Sequence, residues 1–150
     1  MPKDWVADIH NMHEHYGMLE RFKNFTEEEK RLFLQFRANF LQEELDELKA
    51  NMDNPEEVVD ALIDLCVVAI GTLDTYGIDA HKAWDEVLTA NMNKRVGIKE
   101  GRPNPLGLPD LMKPEGWQPP SHAGNHGRLP LPGPNNTPGA VFPEYNELGE

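Results

Sequence analysis

The positions of its prolines limit what this chain of 150 residues can fold into. Of its 13 prolines, all but Pro2 and Pro55 lie after Gly97. Proline lacks a backbone N–H and clashes with the preceding helical turn, so the proline-rich part cannot sustain helices. We therefore predict an all-α domain over residues 1–96. Over residues 97–150 we predict an extended Pro/Gly-rich arm that lacks regular secondary structure.

Hydrophobic spacing and capping signals predict four helices in the first part. The clearest one begins at Thr26, which forms a capping box with Glu29, and continues to about Ala50. The other three are expected from about Asp4 to Tyr16, from near Pro55 to near Gly77, and from the N-cap Asp79 to near Gly97. No alternating pattern indicates a strand. We expect a four-helix bundle in which the third helix, apolar around nearly its whole circumference, is buried.

The arm has apolar residues that could anchor it to the helices. They cluster in its first half and are Leu106, Leu108, Leu111, Met112 and Trp117. We expect this stretch to lie along the helical body or a neighbouring subunit, and the remainder from about Ser121 to have fewer contacts. A tail that is disordered throughout is the alternative.

Charge and hydropathy exclude several classes of partner. A net charge of −12 opposes binding to DNA or RNA, because nonspecific binding to a phosphate backbone depends on lysine and arginine. The longest strongly apolar run, Leu65 to Leu73, is far shorter than the roughly 20 residues of a membrane-spanning helix. The single cysteine, Cys66, cannot form an internal disulfide, which fits a reducing compartment. We expect a cytoplasmic protein that binds neither nucleic acid polymers nor membranes.

The second predicted helix carries acidic residues on its apolar side. At about 100° per residue, Glu44 and Glu47 project within the arc formed by its aromatic and leucine side chains, and Glu43 lies at the edge of that arc. Two carboxylates are thus expected to point toward the core. The alternative is that they lie near the helix end and extend into water.

The pattern of the third predicted helix supports the interpretation that acidic side chains face the core. Glu57, Asp60 and Asp64 share one narrow stripe on this largely apolar helix, at spacings i, i+3 and i+7. Buried carboxylates without partners are costly, so they are normally neutralised or bound to a cation. An all-oxygen ligand set predicts Mg²⁺, with Mn²⁺ as a substitute. Salt bridges to buried bases are the main rival explanation, but this helix contains no Lys or Arg.

The fourth predicted helix extends an apolar stripe into polar and basic residues. The stripe predicted to face the core consists of Ala80, Ala83, Trp84, Val87 and Leu88. The same face continues through Asn91, Lys94 and Arg95. Two interpretations stay open: these groups bind substrate phosphates, or the two cations complement the helix dipole at its C-terminus.

Two acidic motifs in this order resemble those of a known superfamily. Glu43-Glu44-Leu45-Asp46-Glu47 matches an EExxE motif, and Asp60-Ala61-Leu62-Ile63-Asp64 follows on the next helix in the place of an ExxD motif. With the late helix that carries Asn and Lys, the chain resembles the MazG-like, all-α nucleotide pyrophosphohydrolases. The phrases Ile70-Gly71-Thr72-Leu73 and Ala90-Asn91-Met92-Asn93-Lys94 are similar to the branch of phosphoribosyl-ATP pyrophosphohydrolases, including versions encoded by bacteriophages.

One position departs from the family motif. Ala61 stands where the family-like spacing places the glutamate of ExxD, whereas Glu57-Val58-Val59-Asp60 matches ExxD literally in another register. We expect Glu57 to be a neighbouring or alternative ligand. The residues favoured as metal ligands are Glu44, Glu47, Asp60 and Asp64.

The resemblance implies a hydrolase that cleaves a nucleoside triphosphate, or a related nucleotide, between the α and β phosphates. The products would be a nucleoside monophosphate and pyrophosphate. Magnesium would activate a water that Glu43 or Glu47 deprotonates, and Asn91, Lys94 and Arg95 would bind the phosphates. A phage-encoded version would act in the host cytoplasm. The alternative is a non-catalytic helical module that binds a nucleotide or a partner protein.

Oligomerisation is expected because about four helices, one of them apolar all round, leave too little protein to cover that helix. We predict a homodimer or homotetramer.

The histidines near the N-terminus superficially resemble a metal cluster. His10 and His13 share one helical face, but no Cys or further convergent His accompanies them in the sequence. A solvated or structural role is therefore favoured.

Overall fold

The fold is mostly helical, as predicted. The computed structural model describes residues 2–131. In this range the elements are α1 Trp5–His15, α2 Met18–Phe22, α3 Glu27–Ala50, α4 Pro55–Thr75, α5 Ala80–Met92, β1 Arg95–Gly97 and β2 Asp110–Met112.

Side-chain caps define the starts of the four predicted helices. The capping box is present at α3: the Thr26 hydroxyl accepts from the Glu29 N–H, and the Glu29 carboxylate accepts from the Thr26 N–H. Asp4, Asn54 and Asp79 cap α1, α4 and α5 in the simpler way, through one side-chain oxygen. These local signals account for the helix positions. The short helix α2 was not predicted.

The end of the fourth predicted helix, and the absence of strands, were predicted wrongly. Helix α5 ends at Met92 rather than near Gly97. The chain then forms β1, which pairs antiparallel with β2 so that Arg95 lies opposite Met112 and Gly97 opposite Asp110. The arm therefore contains regular secondary structure, because backbone pairing over three residues satisfies the N–H and C=O groups that a helix can no longer use.

The described chain divides into two compact units, one formed by residues 2–78 with 126–131 and the other by residues 79–125. The domain boundary expected after residue 96 stays a prediction.

The core of the first unit lies where α1, α2 and α3 pack on α4. Its largest fully buried side chain is that of Tyr76, whose ring lies edge-on to Phe22 at 5.0 Å and to Phe33 at 5.8 Å between centroids. The Tyr76 hydroxyl donates to the Lys30 carbonyl at 2.6 Å, and burial raises the pKa of this phenol to about 12. The aromatic cluster thus joins the end of α4 to the start of α3.

Helix α4 is not buried all round, contrary to the sequence prediction. Ala61 and Val68, which face the other helices, are 3% exposed, whereas Val59, Leu62 and Ile63 are 62%, 47% and 45% exposed. The apolar circumference therefore consists of one face that packs against other helices and one that residues 2–131 leave exposed.

The second unit is held together by hydrogen bonds from the arm to α5. The Asn125 side chain accepts from the Asp79 N–H and donates to the Asp79 carbonyl, both at 2.9 Å. The Ser121 N–H donates to the Glu86 carboxylate at 3.0 Å. Contacts thus continue beyond Ser121, where fewer were expected, whereas the predicted anchors Leu106 and Leu108 are exposed.

The predicted core stripe of α5 is only partly buried. Ala80 is 9% exposed, but Trp84 is 70% and Leu88 46% exposed. The expectation that this face is buried is therefore wrong for Trp84 and Leu88, which no part of residues 2–131 covers.

Residues 126–131 return to the first unit and cap α4. The Arg128 N–H donates to the Tyr76 carbonyl at 2.6 Å, and its guanidinium donates to the Thr75 carbonyl at 2.9 Å. Gly127 adopts a φ of 53°, and a Cβ at this position would collide with the Tyr76 carbonyl oxygen. Residues 126–131 are therefore held at the end of α4, and residues 132–150 lie outside the described residues. No helix between residues 2 and 131 is long and apolar enough to cross a membrane.

Candidate functional site

Two acids that face each other across the α3–α4 contact form the centre of the candidate site. Glu44 and Asp64 are both half-buried. The Oε2 atom of Glu44 is buried and has no hydrogen-bond partner. A buried acceptor left without a donor is costly, which points to a missing partner at this place.

Two further acids act on this pair. Burial is the largest cause of the raised pKa of Glu44, and the charge of Asp64 comes next, followed by those of Glu47 and Asp60. Burial also raises the pKa of Asp64, with further contributions from Asp60 and Glu47. We call the four residues Glu44, Glu47, Asp60 and Asp64 the acidic cluster. Its members come from two helices, and the charges of Glu47 and Asp60 disfavour the charged forms of Glu44 and Asp64.

No base neutralises the acidic cluster within the described chain. Across residues 2–131, none of its four carboxylates forms an ion pair with Lys, Arg or His. The buried base between α3 and α4, Arg37, donates instead to the Thr72 hydroxyl at 2.9 Å and to the Val68 carbonyl at 3.0 Å. The rival explanation by salt bridges therefore finds no support in this part of the chain.

The buried position of Arg37 was not predicted from the sequence. Its guanidinium lies over the rings of Phe33 and Phe40, at 5.7 and 5.8 Å from their centroids. These two rings are at i−4 and i+3 from Arg37 on the helix, and this spacing could have revealed the arrangement.

Only Glu44 and Asp64 are half-buried among the candidate acids. Glu47 and Asp60 are exposed, although the sequence analysis expected them to face the core. Glu43 and Glu57 are exposed too, and neither is among the charges that raise the pKa of Glu44 or Asp64. Ala61 is 3% exposed, so the position that carries a glutamate in the family-like register faces the interior. The choice between the register that uses Asp60 and Asp64 and the literal Glu57–Asp60 match stays a prediction.

The acidic cluster has the donor chemistry that Mg²⁺ prefers, with carboxylate oxygens and an unpartnered buried oxygen on Glu44. Among residues 2–131, however, no three His, Cys, Asp or Glu side chains already converge on a point where one ion could bind. The residues present therefore fit a hard cation by chemistry, and the assignment of individual ligands stays a prediction.

The predicted phosphate-binding residues lie in the second unit. Asn91 is on α5 and Arg95 on β1, and both are exposed. Lys94 is half-buried, with its Nζ 5.3 Å from the centroid of the Trp117 ring. The Nζ of Lys113 lies 5.1 Å from the same centroid. Lys113 was not predicted from the sequence, because the strand pairing that brings it here was not predicted either.

Two of the N-terminal histidines contact one carboxylate of α4. Asp74 on α4 accepts from His10 Nδ1 at 2.9 Å and from His13 Nδ1 at 2.8 Å. His13 is 2% exposed. Since an ionised carboxylate can only accept, both histidines carry hydrogen on Nδ1. This carboxylate joins α1 to α4.

Comparison with known families agrees with the acidic motifs and the helical fold. No curated protein matches the chain. The pattern of the family described as phosphoribosyl-ATP pyrophosphohydrolase, however, matches residues 15–91, which is half of the chain and includes the whole acidic cluster. The resemblance inferred from the motifs is therefore confirmed, and the chain belongs to this family of MazG-like nucleotide pyrophosphohydrolases.

Proposed function

We propose that the protein hydrolyses a nucleoside triphosphate, or a related nucleotide, between its α and β phosphates in a reaction that requires Mg²⁺. The observation that carries the proposal is the buried, unpartnered oxygen of Glu44 beside the like charges of Asp64, Glu47 and Asp60. With no base paired to them in residues 2–131, the half-buried Glu44 and Asp64 are poorly stabilised in their charged forms. A divalent cation would offset their repulsion, and it would also attract a polyphosphate to a chain with a net charge of −12.

In this proposal the acidic cluster holds the cation, and Glu57 lies nearby as a neighbouring or alternative ligand. Mn²⁺ would substitute for Mg²⁺, because both accept carboxylate oxygens. When bound, the cation would neutralise phosphate charge and lower the pKa of a water.

Glu47, or Glu43, acts as the general base. It takes a proton from a water whose oxygen attacks the α-phosphorus. The bond from that phosphorus to the bridging oxygen breaks, and pyrophosphate leaves with the electron pair. Glu43 is exposed, so a proton taken there passes readily to solvent. No covalent intermediate with the protein is required.

Asn91, Lys94 and Arg95 bind the phosphates of the substrate. The amide donates a hydrogen bond to one oxygen, and the two cations compensate the charge of the phosphoryl groups.

A second copy of this chain completes the protein as a homodimer, or a homotetramer. The exposed face of α4, with Val59, Leu62 and Ile63, supports this part of the proposal. Apolar residues grouped on one helix face are stabilised when a partner removes them from water.

Pyrophosphate release from each common nucleoside triphosphate, with Mg²⁺ and with a chelator, tests the function. We expect release with at least one nucleotide, and loss of release in the chelator. Nucleotide binding without release would instead favour the non-catalytic alternative, for which the buried Ala61 in place of a glutamate is the supporting observation.

A further inference from the structure

One aromatic ring in the second unit gathers two cations. The Nζ atoms of Lys94 and Lys113 lie 5.3 and 5.1 Å from the centroid of the Trp117 ring, both within the range of a cation–π interaction. The Trp117 indole N–H donates to the Ala90 carbonyl at 2.7 Å. Ala90 is 5% exposed, so the ring is fixed to a buried position in the last turns of α5.

The strand pairing explains how the two lysines reach the same ring. Lys94 directly precedes Arg95, and Lys113 directly follows Met112, the residue that lies opposite Arg95 in the β1–β2 pair. The register of three residue pairs thus brings together side chains that are 19 positions apart in the sequence. We call Lys94 and Lys113 the lysine pair.

The lysine pair has no acidic partner in the described chain. Neither ammonium group forms an ion pair with a carboxylate of residues 2–131, although the chain has 26 acids against 14 Lys and Arg. The ring attracts each cation through its quadrupole but does not remove their mutual repulsion. The lysine pair therefore presents two positive charges at one fixed ring, and an anion that binds there would neutralise them.

We propose that Trp117 is a positioning residue that holds the lysine pair to bind the phosphate groups of the substrate, and that Lys113 is a further phosphate-binding residue. The substrate class rests on the proposed function. A small polyphosphate fits better than a polymeric anion, because the net charge of −12 repels a nucleic acid along most of the surface. In this role the arm contributes directly to substrate binding, although Trp117 and Lys113 lie outside the segment matched by the family.

Steady-state kinetics of the full chain test the proposal. Lys113→Gln is expected to raise KM for the nucleotide about tenfold with little change in kcat, because one charge-assisted contact to phosphate is lost. Trp117→Leu is expected to raise KM at least as much, since it releases both lysines. Trp117→Phe, which keeps a ring face for the cations, is expected to recover most of the affinity. Lys82→Gln, at an exposed lysine in the first turn of α5, is the matched control and should leave KM unchanged.

A double-mutant cycle distinguishes positioning from a general loss of structure. If Trp117 acts through the lysines, Lys113→Gln added to Trp117→Leu raises KM less than it does in the unmodified chain. Fully additive effects would overturn the positioning role. An effect of Lys113→Gln no larger than that of Lys82→Gln would overturn the phosphate-binding role of Lys113.

The affinity for inorganic pyrophosphate, measured by calorimetry, tests this proposal independently of the proposed function. Should the unmodified protein release no pyrophosphate from any nucleotide, the proposed function fails, but the lysine pair still predicts about tenfold weaker pyrophosphate binding in Lys113→Gln. Equal affinities of the unmodified and Lys113→Gln proteins for pyrophosphate would contradict the proposal whatever the hydrolytic activity.

Discussion

Glu44 on α3 and Asp64 on α4 are like charges on two packed helices, and burial, followed by the charge of Asp64, raises the pKa of Glu44. Replacing Asp64 by Asn should reduce pyrophosphate release by about 100-fold or more, because a cation ligand is lost. The same change should raise the melting temperature in a chelator, since one of the repelling charges disappears. Nucleotide assays and thermal melts of the same samples measure both effects.

The control for this prediction is Asp46→Asn, at an exposed acid on α3 whose carboxylate accepts from Gln42. It should change neither activity nor melting temperature appreciably. Full activity of Asp64→Asn would contradict the assignment of Asp64. The pKa values of Glu44 and Asp64 are raised in the folded protein, so their charged forms lower the free energy of unfolding at neutral pH. This destabilisation is relieved as the pH falls through the folded pKa values, because the two groups then take up protons.

The exposed face of α4 predicts the oligomeric state. Light scattering should show at least a dimer at micromolar concentration, and Leu62→Asp should shift it to monomer by placing a charge in an apolar contact. The monomer should remain folded, because Leu62 is 47% exposed in the single chain. Leu108→Asp, at an exposed leucine in the arm, serves as control. A compact monomer of the unmodified protein would refute the prediction.

Gly127 predicts how the arm is held to α4. An alanine Cβ would collide with the Tyr76 carbonyl, so Gly127→Ala should release Arg128 from the helix end and lower the free energy of unfolding by about 2 kcal/mol. Chemical denaturation measures the loss of stability. Trypsin should also cut after Arg128 faster than in the unmodified chain.

Gly124→Ala provides a matched control for this substitution. Gly124 also has a positive φ, of 75°, but no atom lies within 4 Å of a Cβ placed there. It should cost only the roughly 1 kcal/mol of the left-handed backbone. Equal losses in the two variants would show that the contact with Tyr76 has no effect on stability.

The contact between His10 and Asp74 predicts a dependence of stability on pH. The hydrogen bond to Asp74 is the largest cause of the raised pKa of His10, and the charges of Asp74 and Glu14 add to it against the effect of burial. A raised folded pKa stabilises the protein fully below the unfolded value of 6.5, and the contribution is lost as the pH rises through the folded value. The effect should be at most about 1 kcal/mol, because the His10 side chain is 46% exposed.

Thermal melts at pH 5.5 and pH 8.5 would measure this effect. These two pH values, approximately one to two units on either side of the unperturbed histidine pKa, bracket the transition. His10→Asn keeps a donor but cannot be charged, so it should lower the melting temperature more at the acidic pH. His15→Asn, on the same helix and exposed, should show no such difference. If both variants respond alike, His10 does not determine the pH dependence.

Features encoded by short stretches of sequence were predicted well. The capping box of Thr26 and Glu29 fixes the start of α3 because both partners lie within one turn. Helical periodicity determines the face on which a residue lies, and it placed Glu44 and Asp64 toward the α3–α4 contact, where both are half-buried. Glu47 and Asp60, which were expected on the same inward stripes, are exposed.

Features that depend on distant contacts were not predicted. Strands β1 and β2 have three residues each, too few for an alternating pattern to be recognised. Apolar spacing showed that Leu62 and Trp84 lie on apolar faces, but it does not show what covers a face. Within residues 2–131 both side chains stay exposed. The approach of Lys94 and Lys113 to the same ring depends on the register of that strand pair and was missed for the same reason.

The double contact of Asp74 has a consequence for shortened versions of the protein. The family match begins at residue 15, whereas the two histidines that donate to Asp74 are His10 and His13. A chain trimmed to the matched segment would keep a carboxylate whose side chain is 12% exposed in the full chain and would remove both of its donors. We expect such a fragment to be less stable and to give less soluble protein than the full chain. The segment that identifies the family is therefore shorter than the segment needed for a stable fold.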